Sequence, residues 1–319
     1  MCESPIAVSV VCNAYNHGLY IRKALDGFVM QKTSFPFEVL VHDDASTDDT
    51  AEIIREYEKR YPEIIKPIYE TENQYSKRDG SLTRIQYSRV KGKYVALCEG
   101  DDYWTDPLKL QKQYDALEAH PQIDICATAA EKEQDGRIIG YIAPSKHDTI
   151  FTVREVICGG GGFVATASVM VRSEIRKNPS PFLKKMSMDY FVQISGALRG
   201  GMLFLAEPMS VYRIQVPGSW TCRTYKSVAM INRHEEELCA ALQCLDEDTA
   251  GVYHDIIEER IERFRFSIWV RNREYKNACQ PEYKKHFAKL PVYKRLVIKI
   301  GVYFPQLADF VWKAGKKVR

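Results

Sequence analysis

The chain has 319 residues, 45% of them hydrophobic and 11% aromatic, enough for a buried core in one large domain or two modest ones and too apolar for a disordered chain. Its 45 Lys and Arg stand against 42 Asp and Glu, a net charge of +3, and so small an excess excludes a surface built wholesale to bind nucleic acid. Nine cysteines without a C-x-x-C pair or zinc spacing point to a reducing compartment, and neither a signal peptide in residues 1–7 (MCESPIA) nor an apolar run of about 18 residues is present, so a cytoplasmic location is expected.

In chain order, residues 6–12 (IAVSVVC) are a short β-branched apolar run ending at Asn13-Ala14-Tyr15-Asn16, which predicts a buried parallel strand and its exit loop. Ile21, Leu25, Phe28 and Val29 recur at helical spacing within 20–31. Phe37 to His42 is a second strand, Asp43 to Asp49 its exit, and Thr50 to Tyr61 a helix started by the Asp/Thr cluster. A third strand is expected over 64–68 and a helix around 82–90. A fourth strand, 94–98, runs into Glu99-Gly100-Asp101-Asp102. Alternating strands and helices predict an α/β fold whose parallel sheet has helices on both faces, with ligands at the carboxyl ends of its strands. That topology brings Tyr15, Asp44 and Asp101/Asp102 to one sheet edge.

Further on, Asp106-Pro107 opens a helix over 108–120, and residues 123–127 form a strand. Residues 140–219 are less regular. They hold the Gly159 to Gly162 run, strand-like stretches at 167–171 and 203–206, and a helix around 188–198. After Ser227 the chain turns helical, with 235–245 and 250–272 the longest candidates.

Two adjacent carboxylates after a buried strand suit a hard divalent cation, Mg2+ or Mn2+, that also takes diphosphate oxygens. A solvated acidic turn capping the next helix is the plainer alternative, and the second acidic strand end beside it favours the cation. The segment from Asp43 to Thr50 fails as a calcium loop, because Asp49 stands where the loop glycine belongs and Arg55 where the closing glutamate belongs. Helix capping by Thr47 or Asp48 leaves Asp44 to accept a hydrogen bond from a base N–H.

VSVVCNAYN, VLVHDDASTDDT and KYVALCEGDDYWTDPLKL, in this order and spacing, resemble the N-terminal half of glycosyltransferase family 2, closely over residues 6–120 and more loosely to about 220. The resemblance implies a GT-A (Rossmann-like) catalytic domain over residues 1–225, a helical region over 226–319, and inverting transfer from a nucleoside-diphosphate sugar, most often a UDP-sugar. It implies that Tyr15 stacks on the nucleobase, that Asn13 lines the same pocket, and that Asp44 accepts the uracil N3–H. Arg84 would lie near the base or diphosphate. Asp101 and Asp102 occupy the metal motif, Asp102 as the direct ligand of Mn2+ or Mg2+. Asp189, at a helix start, is the expected catalytic base, with Glu174, Glu155 and Asp148 as the other acids to be weighed. Gly159 to Phe163 and Thr166-Ala167-Ser168 look like the acceptor-side wall. Arg213 and Trp220 fall in a closing segment where Gln215 replaces a histidine common in relatives, which puts a third protein ligand in doubt.

From Lys284 to Arg319 ten basic residues face the single acid Asp309, interleaved with apolar residues, as in a segment lying on an anionic membrane or packing back as an ordinary helix face. The expected partners are a nucleotide-sugar and a saccharide or lipid-linked acceptor in bacterial-style cell-surface polysaccharide synthesis, with no nucleic acid. A degenerate nucleotide-sugar-binding protein of the same fold is the alternative. A receiver-like domain is disfavoured, because strand one ends in Asn13-Ala14-Tyr15 rather than an acidic pair.

Overall fold

A computed structural model of the chain describes residues 5–186 and 188–308. Two compact units divide at the Pro217/Gly218 boundary. The first contains ten strands: β1 (Val8–Ala14), β2 (Phe37–Asp43), β3 (Ile65–Tyr69), β4 (Tyr94–Leu97), β5 (Tyr103–Trp104), β6 (Ile125–Gln134), β7 (Arg137–Ile142), β8 (Thr149–Phe151), β9 (Met170–Arg172) and β10 (Met202–Arg213). Its helices are α1 (Ile21–Val29), α2 (Thr50–Arg60), α3 (Ser81–Ser88), α4 (Lys109–Ala119), α5 (Val153–Gly159), α6 (Ser173–Lys177), α7 (Pro181–Lys185) and α8 (Asp189–Ala197).

The strands make one sheet in the order β3-β2-β1-β4-β9-β6-β10-β5, with β7 added to β6 and β8 to β10. β3, β2, β1 and β4 are parallel, the expected consequence of helical crossovers between apolar strands. Val10, Val39 and Ala96 lie in register on adjacent strands and are fully buried. α1 buries Ile21, Ala24, Leu25 and Phe28, the i, i+3, i+4, i+7 stripe of an amphipathic helix. Phe28 meets the fully buried Trp104 edge-on at 4.8 Å.

The second half of the sheet is mixed rather than parallel. β9 runs antiparallel to both β4 and β6, and β6 and β10 are far longer than the apolar runs at 123–127 and 203–206 that announce them. β10 carries register shifts on both sides of Pro208. Proline has no N–H for the ladder, so it bulges the strand without ending it.

The second unit is helical: α9 (Trp220–Thr224), α10 (Val228–Asp248), α11 (His254–Arg271), α12 (Tyr275–Ala278), α13 (Lys284–Ala288) and α14 (Val292–Tyr303). The basic segment is divided by its structure. Val297 and Ile298 of α14 are buried with Tyr275, while Val292, Tyr293, Leu296, Tyr303 and Phe304 are exposed. The rest of that segment, 309–319, lies outside the described residues, as do residues 1–4 of the stretch weighed as a leader. No described helix is long and apolar enough to cross a membrane.

Candidate active site

Three strand exits are bolted together by main-chain hydrogen bonds. Asp44 N–H donates to Ala14 O (2.9 Å) and Gly100 N–H to Asn13 O (2.9 Å), so the ends of β1, β2 and β4 meet as the topology predicts. Gly100 makes the junction possible. A Cβ there would lie 2.8 Å from both His17 Nδ1 and Ile21 Cδ1, closer than packed atoms allow.

The Asp/Ser/Thr cluster after β2 works as a staple between loops more than as a helix cap. Asn16 N–H donates to Ser46 Oγ (2.9 Å), Asn16 Oδ1 accepts from Thr47 N–H (2.8 Å), and His17 N–H donates to Thr50 Oγ1 (2.8 Å). Asp48 both receives the Thr50 N–H (3.0 Å) and anchors Gly18 N–H (2.9 Å). Its side chain therefore caps the helix start, as expected, while the second carboxylate oxygen holds the β1 exit.

Tyr15 stands at this junction with 40% of its surface exposed. The Asn13 amide donates to Glu99 Oε1 (3.3 Å). Asp44 is buried, and its two oxygens accept the Gln74 N–H (2.6 Å) and the Tyr75 N–H (3.0 Å). A carboxylate has about four acceptor positions, two of them taken by these donors, and His42 Nε2 stands 3.8 Å from Oδ1. Arg84 is turned elsewhere: its guanidinium donates to Asp79 O and Ser81 Oγ (3.0 Å) and pairs with the Asp79 carboxylate at 3.7 Å. These contacts, all to residues 79–81, do not join it to the strand exits.

Asp102 is buried, and its Oδ1 accepts the Arg213 main-chain N–H (2.8 Å) from the end of β10. The Arg213 guanidinium donates to Asp101 O (2.6 Å) and to Glu133 Oε1 (2.9 Å), and lies 4.4 Å from the Tyr103 ring centroid. Arg213 thus ties the end of β10 to the acidic pair. Glu133 also accepts from Tyr103 Oη (2.8 Å). Burial works to raise the Glu133 carboxyl, but these two donors hold it below its usual range.

Burial first and the Asp101 charge second push the Asp102 carboxyl well above the carboxylate range, against the Arg213 donor. Glu99, by burial and by the charges of Asp189 and Asp101, is raised to about 8. Crowded carboxylates that resist ionisation are what a divalent cation relieves, and the all-oxygen donors of Asp101 and Asp102 suit a hard ion. Among the described residues no three His, Cys, Asp or Glu converge on a metal position. Gln215 Oε1 accepts from Gln134 Nε2 (2.8 Å).

Asp189 is the first residue of α8, where its charge favours the helix N-terminus. Its carboxylate accepts from the Thr166 hydroxyl. The residue reaches the surface while its carboxyl is crowded by protein, which raises its pKa against the Thr166 hydrogen bond and the Arg176 charge. The other acids are committed. Glu155 forms the capping box of α5 with Thr152, Asp148 Oδ1 accepts the Ala206 N–H (2.8 Å), and Glu174 accepts from the Asn178 amide. Sequence reasoning gave no role to Glu99 or Glu133. Glu99 stood in plain view beside the acidic pair, whereas nothing local marks Glu133 as the partner of an arginine 80 residues away.

An α/β sheet that brings Tyr15, Asp44 and the Asp101–Asp102 pair to the carboxyl edge of its parallel strands has the Rossmann-like GT-A fold. Residues 9–213 match the model of Glycosyl transferase family 2, and the chain belongs to that family. An uncharacterized Mycobacterium tuberculosis protein is 38% identical over 216 residues, 67% of this chain and 60% of that protein, so the match spans three-fifths of that relative's length. A Bacillus subtilis protein named as a teichuronic acid biosynthesis glycosyltransferase, TuaG, is 36% identical over 112 residues, 34% of this chain and 41% of its own. Among solved structures, residues 1–349 of Staphylococcus aureus TarS in complex with UDP-GlcNAc superpose with a TM-score of 0.57 at 17% identity, covering 92% of this chain and 79% of that one. At that identity the likeness is one of fold.

Proposed function

We propose that the protein is an inverting glycosyltransferase that moves a sugar from a UDP-sugar to a hydroxyl of a saccharide or lipid-linked acceptor in cell-surface polysaccharide synthesis. The observation that carries this reading is the bolting of the β1, β2 and β4 exits into one edge that presents Tyr15, Asp44 and the Asp101–Asp102 pair together. The fold shared with a UDP-GlcNAc complex and the sequence likeness to TuaG support the donor and the pathway class.

In this reading Tyr15 stacks on the uracil, Asn13 borders it, and the remaining acceptor positions of Asp44 receive its N3–H. Arg84 would have to leave Asp79 to reach the diphosphate. Asp102, with Asp101 beside it, would hold Mn2+ or Mg2+, which supplies positive charge where the departing diphosphate gains negative charge. Asp189 takes the proton from the acceptor hydroxyl as that oxygen attacks the anomeric carbon from the face opposite the leaving group. Its raised pKa suits a general base, and the Thr166 hydroxyl holds it in place. The exposed apolar residues of α14, alternating with Lys294, Arg295 and Lys299, support a peripheral contact with an anionic membrane surface that carries the acceptor.

A thermal-shift panel tests the reading, since a ligand that binds only the folded chain raises its melting temperature. UDP with Mn2+ is expected to stabilise more than GDP or ADP with Mn2+, and EDTA to remove the difference. Equal shifts from all three nucleotides would overturn the uracil assignment. Release of UDP from a UDP-sugar separates the enzyme from the degenerate binding protein of the same fold.

A further inference from the structure

The amino ends of the parallel strands, at the edge opposite the strand exits, carry a cleft of about 400 Å3 lined by Glu38, Leu40, Lys66, Ser88, Arg89 and Lys91. Its volume falls in the range of small-molecule sites. Three cations face one carboxylate, and that carboxylate is turned inward. Glu38 is buried, and its Oε1 accepts from Ser9 Oγ (2.7 Å) and from the Lys91 N–H (3.1 Å). From the cleft, the exposed Lys91 ammonium lies 4.0 Å from its other oxygen, Oε2.

Arg89 is the unusual member. Its guanidinium is fixed at both ends by neutral acceptors, Lys66 O and Gln86 Oε1 (3.2 Å). Gln86 is itself buried and anchored on Leu40 O (2.8 Å). Among the described residues neither Arg89 nor Lys66 has a carboxylate within salt-bridge reach; Lys66 Nζ donates to Pro62 O (2.6 Å). A partly desolvated guanidinium held rigid, with the Glu38 charge acting on it from beyond salt-bridge reach, gains from an anion that arrives beside it; burial lowers its pKa and Glu38 opposes that shift. Arginine in a fixed orientation with lysines on either side is the arrangement that recognises phosphate oxygens.

We propose that this cleft is an anion site for a phosphate-bearing group, remote from the strand exits and independent of the nucleotide. The group arrives on a soluble phosphorylated molecule or on an anionic lipid head group, and the experiment separates the two sources. Full-length protein is titrated calorimetrically with inorganic pyrophosphate in EDTA at low salt, and is co-sedimented with vesicles of phosphatidylglycerol against vesicles of phosphatidylcholine. Both assays are repeated with Lys66→Gln/Lys91→Gln, which leaves the main-chain contacts of half-buried Arg89 and buried Glu38 in place, and with Asp102→Asn.

Pyrophosphate binding that falls about tenfold or more in the lysine variant and survives in Asp102→Asn assigns the cleft to a soluble anion. Vesicle capture lost in the lysine variant, without pyrophosphate binding, assigns it to a head group. The proposal is overturned if wild-type protein binds neither probe saturably or if the lysine variant binds like wild type. Loss of pyrophosphate binding in Asp102→Asn would also overturn it, by placing the anion at the strand exits. Failure of the UDP reading leaves each of these outcomes unchanged.

Discussion

Asp102 and Asp189 are both carboxylates raised above their usual pKa by burial, yet the fold holds them in opposite ways. Asp102 sits deep, fixed by a main-chain donor from a residue 111 positions later and braced by the Arg213–Glu133 pair. Asp189 opens a helix at the surface and is held by one hydroxyl. A group that binds a ground-state ligand tolerates a rigid strand junction, because its geometry is the same in every step. A base that must accept a proton and later release it needs access to water and acceptor. The contrast teaches that the exit of β4 is part of the fold's frame, while the start of α8 is an addition to it.

The largest expected effect lies at the surface acid. Asp189→Asn removes basicity and keeps shape, so sugar transfer should fall by roughly 10²- to 10⁴-fold while the melting temperature and UDP affinity stay near wild type. Transfer at a near-normal rate would reduce Asp189 to a helix-start acid and erase the contrast. At the framed site the expectation reverses. Arg213→Met leaves Glu133 only the Tyr103 hydroxyl and, at 3.9 Å, Lys23, so the loss of stability should approach without reaching the about 3–5 kcal/mol of a fully broken buried pair. Adding Glu133→Leu should restore part of the loss, which a double-mutant cycle by chemical denaturation would read. A single variant as stable as wild type would show that β10 needs no latch.

These two acids also differ in how far the sequence discloses them. β1 to β4 announce themselves through apolar runs of four to seven residues with polar exits, because a buried parallel strand needs nothing but its own side chains and a following helix. Tyr15, Asp44 and the acidic pair are therefore legible as a group. The Arg213 latch is not, since a charge pair across 80 residues leaves no periodicity, and Pro208 hides the continuity of β10. Lys109 shows the same limit. It sits at the start of a helix where solvent exposure would be expected, yet it is fully buried, 4.3 Å from the Trp104 ring centroid and hydrogen-bonded to Gln113 (2.6 Å). The partners of Arg84 are equally hidden, because a position beside a motif does not say that a long side chain turns to Asp79 and Ser81.

A smaller effect, in pH dependence, joins the two acids through Glu99, whose raised carboxyl feels Asp189 and Asp101. A carboxyl held at about 8 when folded and near 4.5 when unfolded binds its proton more tightly in the folded chain. Its contribution to stability is therefore complete below pH 4.5 and is lost as pH rises toward 8. In EDTA, the melting temperature of wild type relative to Glu99→Gln should fall across that window. A difference that stays flat from pH 5 to 8.5 would mean that Glu99 is already ionised in the metal-free chain. Mn2+ should weaken the trend, because a bound cation favours ionised carboxylates nearby.

The smallest effect expected is at Gln215, where the family resemblance leads to the expectation of a histidine. Its side-chain oxygen is occupied by the Gln134 amide at the surface, and an exposed amide–amide hydrogen bond contributes on the order of 1 kcal/mol or less. A neutral carbonyl already accepting a hydrogen bond offers little to a cation whose charge is matched by carboxylates and diphosphate oxygens. Gln215→Ala should therefore change Mn2+-dependent UDP affinity by no more than about threefold, under 1 kcal/mol. Asp102→Asn should weaken the same affinity by well over tenfold, since in the proposed site that carboxylate is the direct ligand of the cation. Calorimetry on both variants decides the matter. If the two lose affinity equally, Gln215 abandons Gln134 when the site is loaded, and the metal position is shared between the exit of β4 and the end of β10.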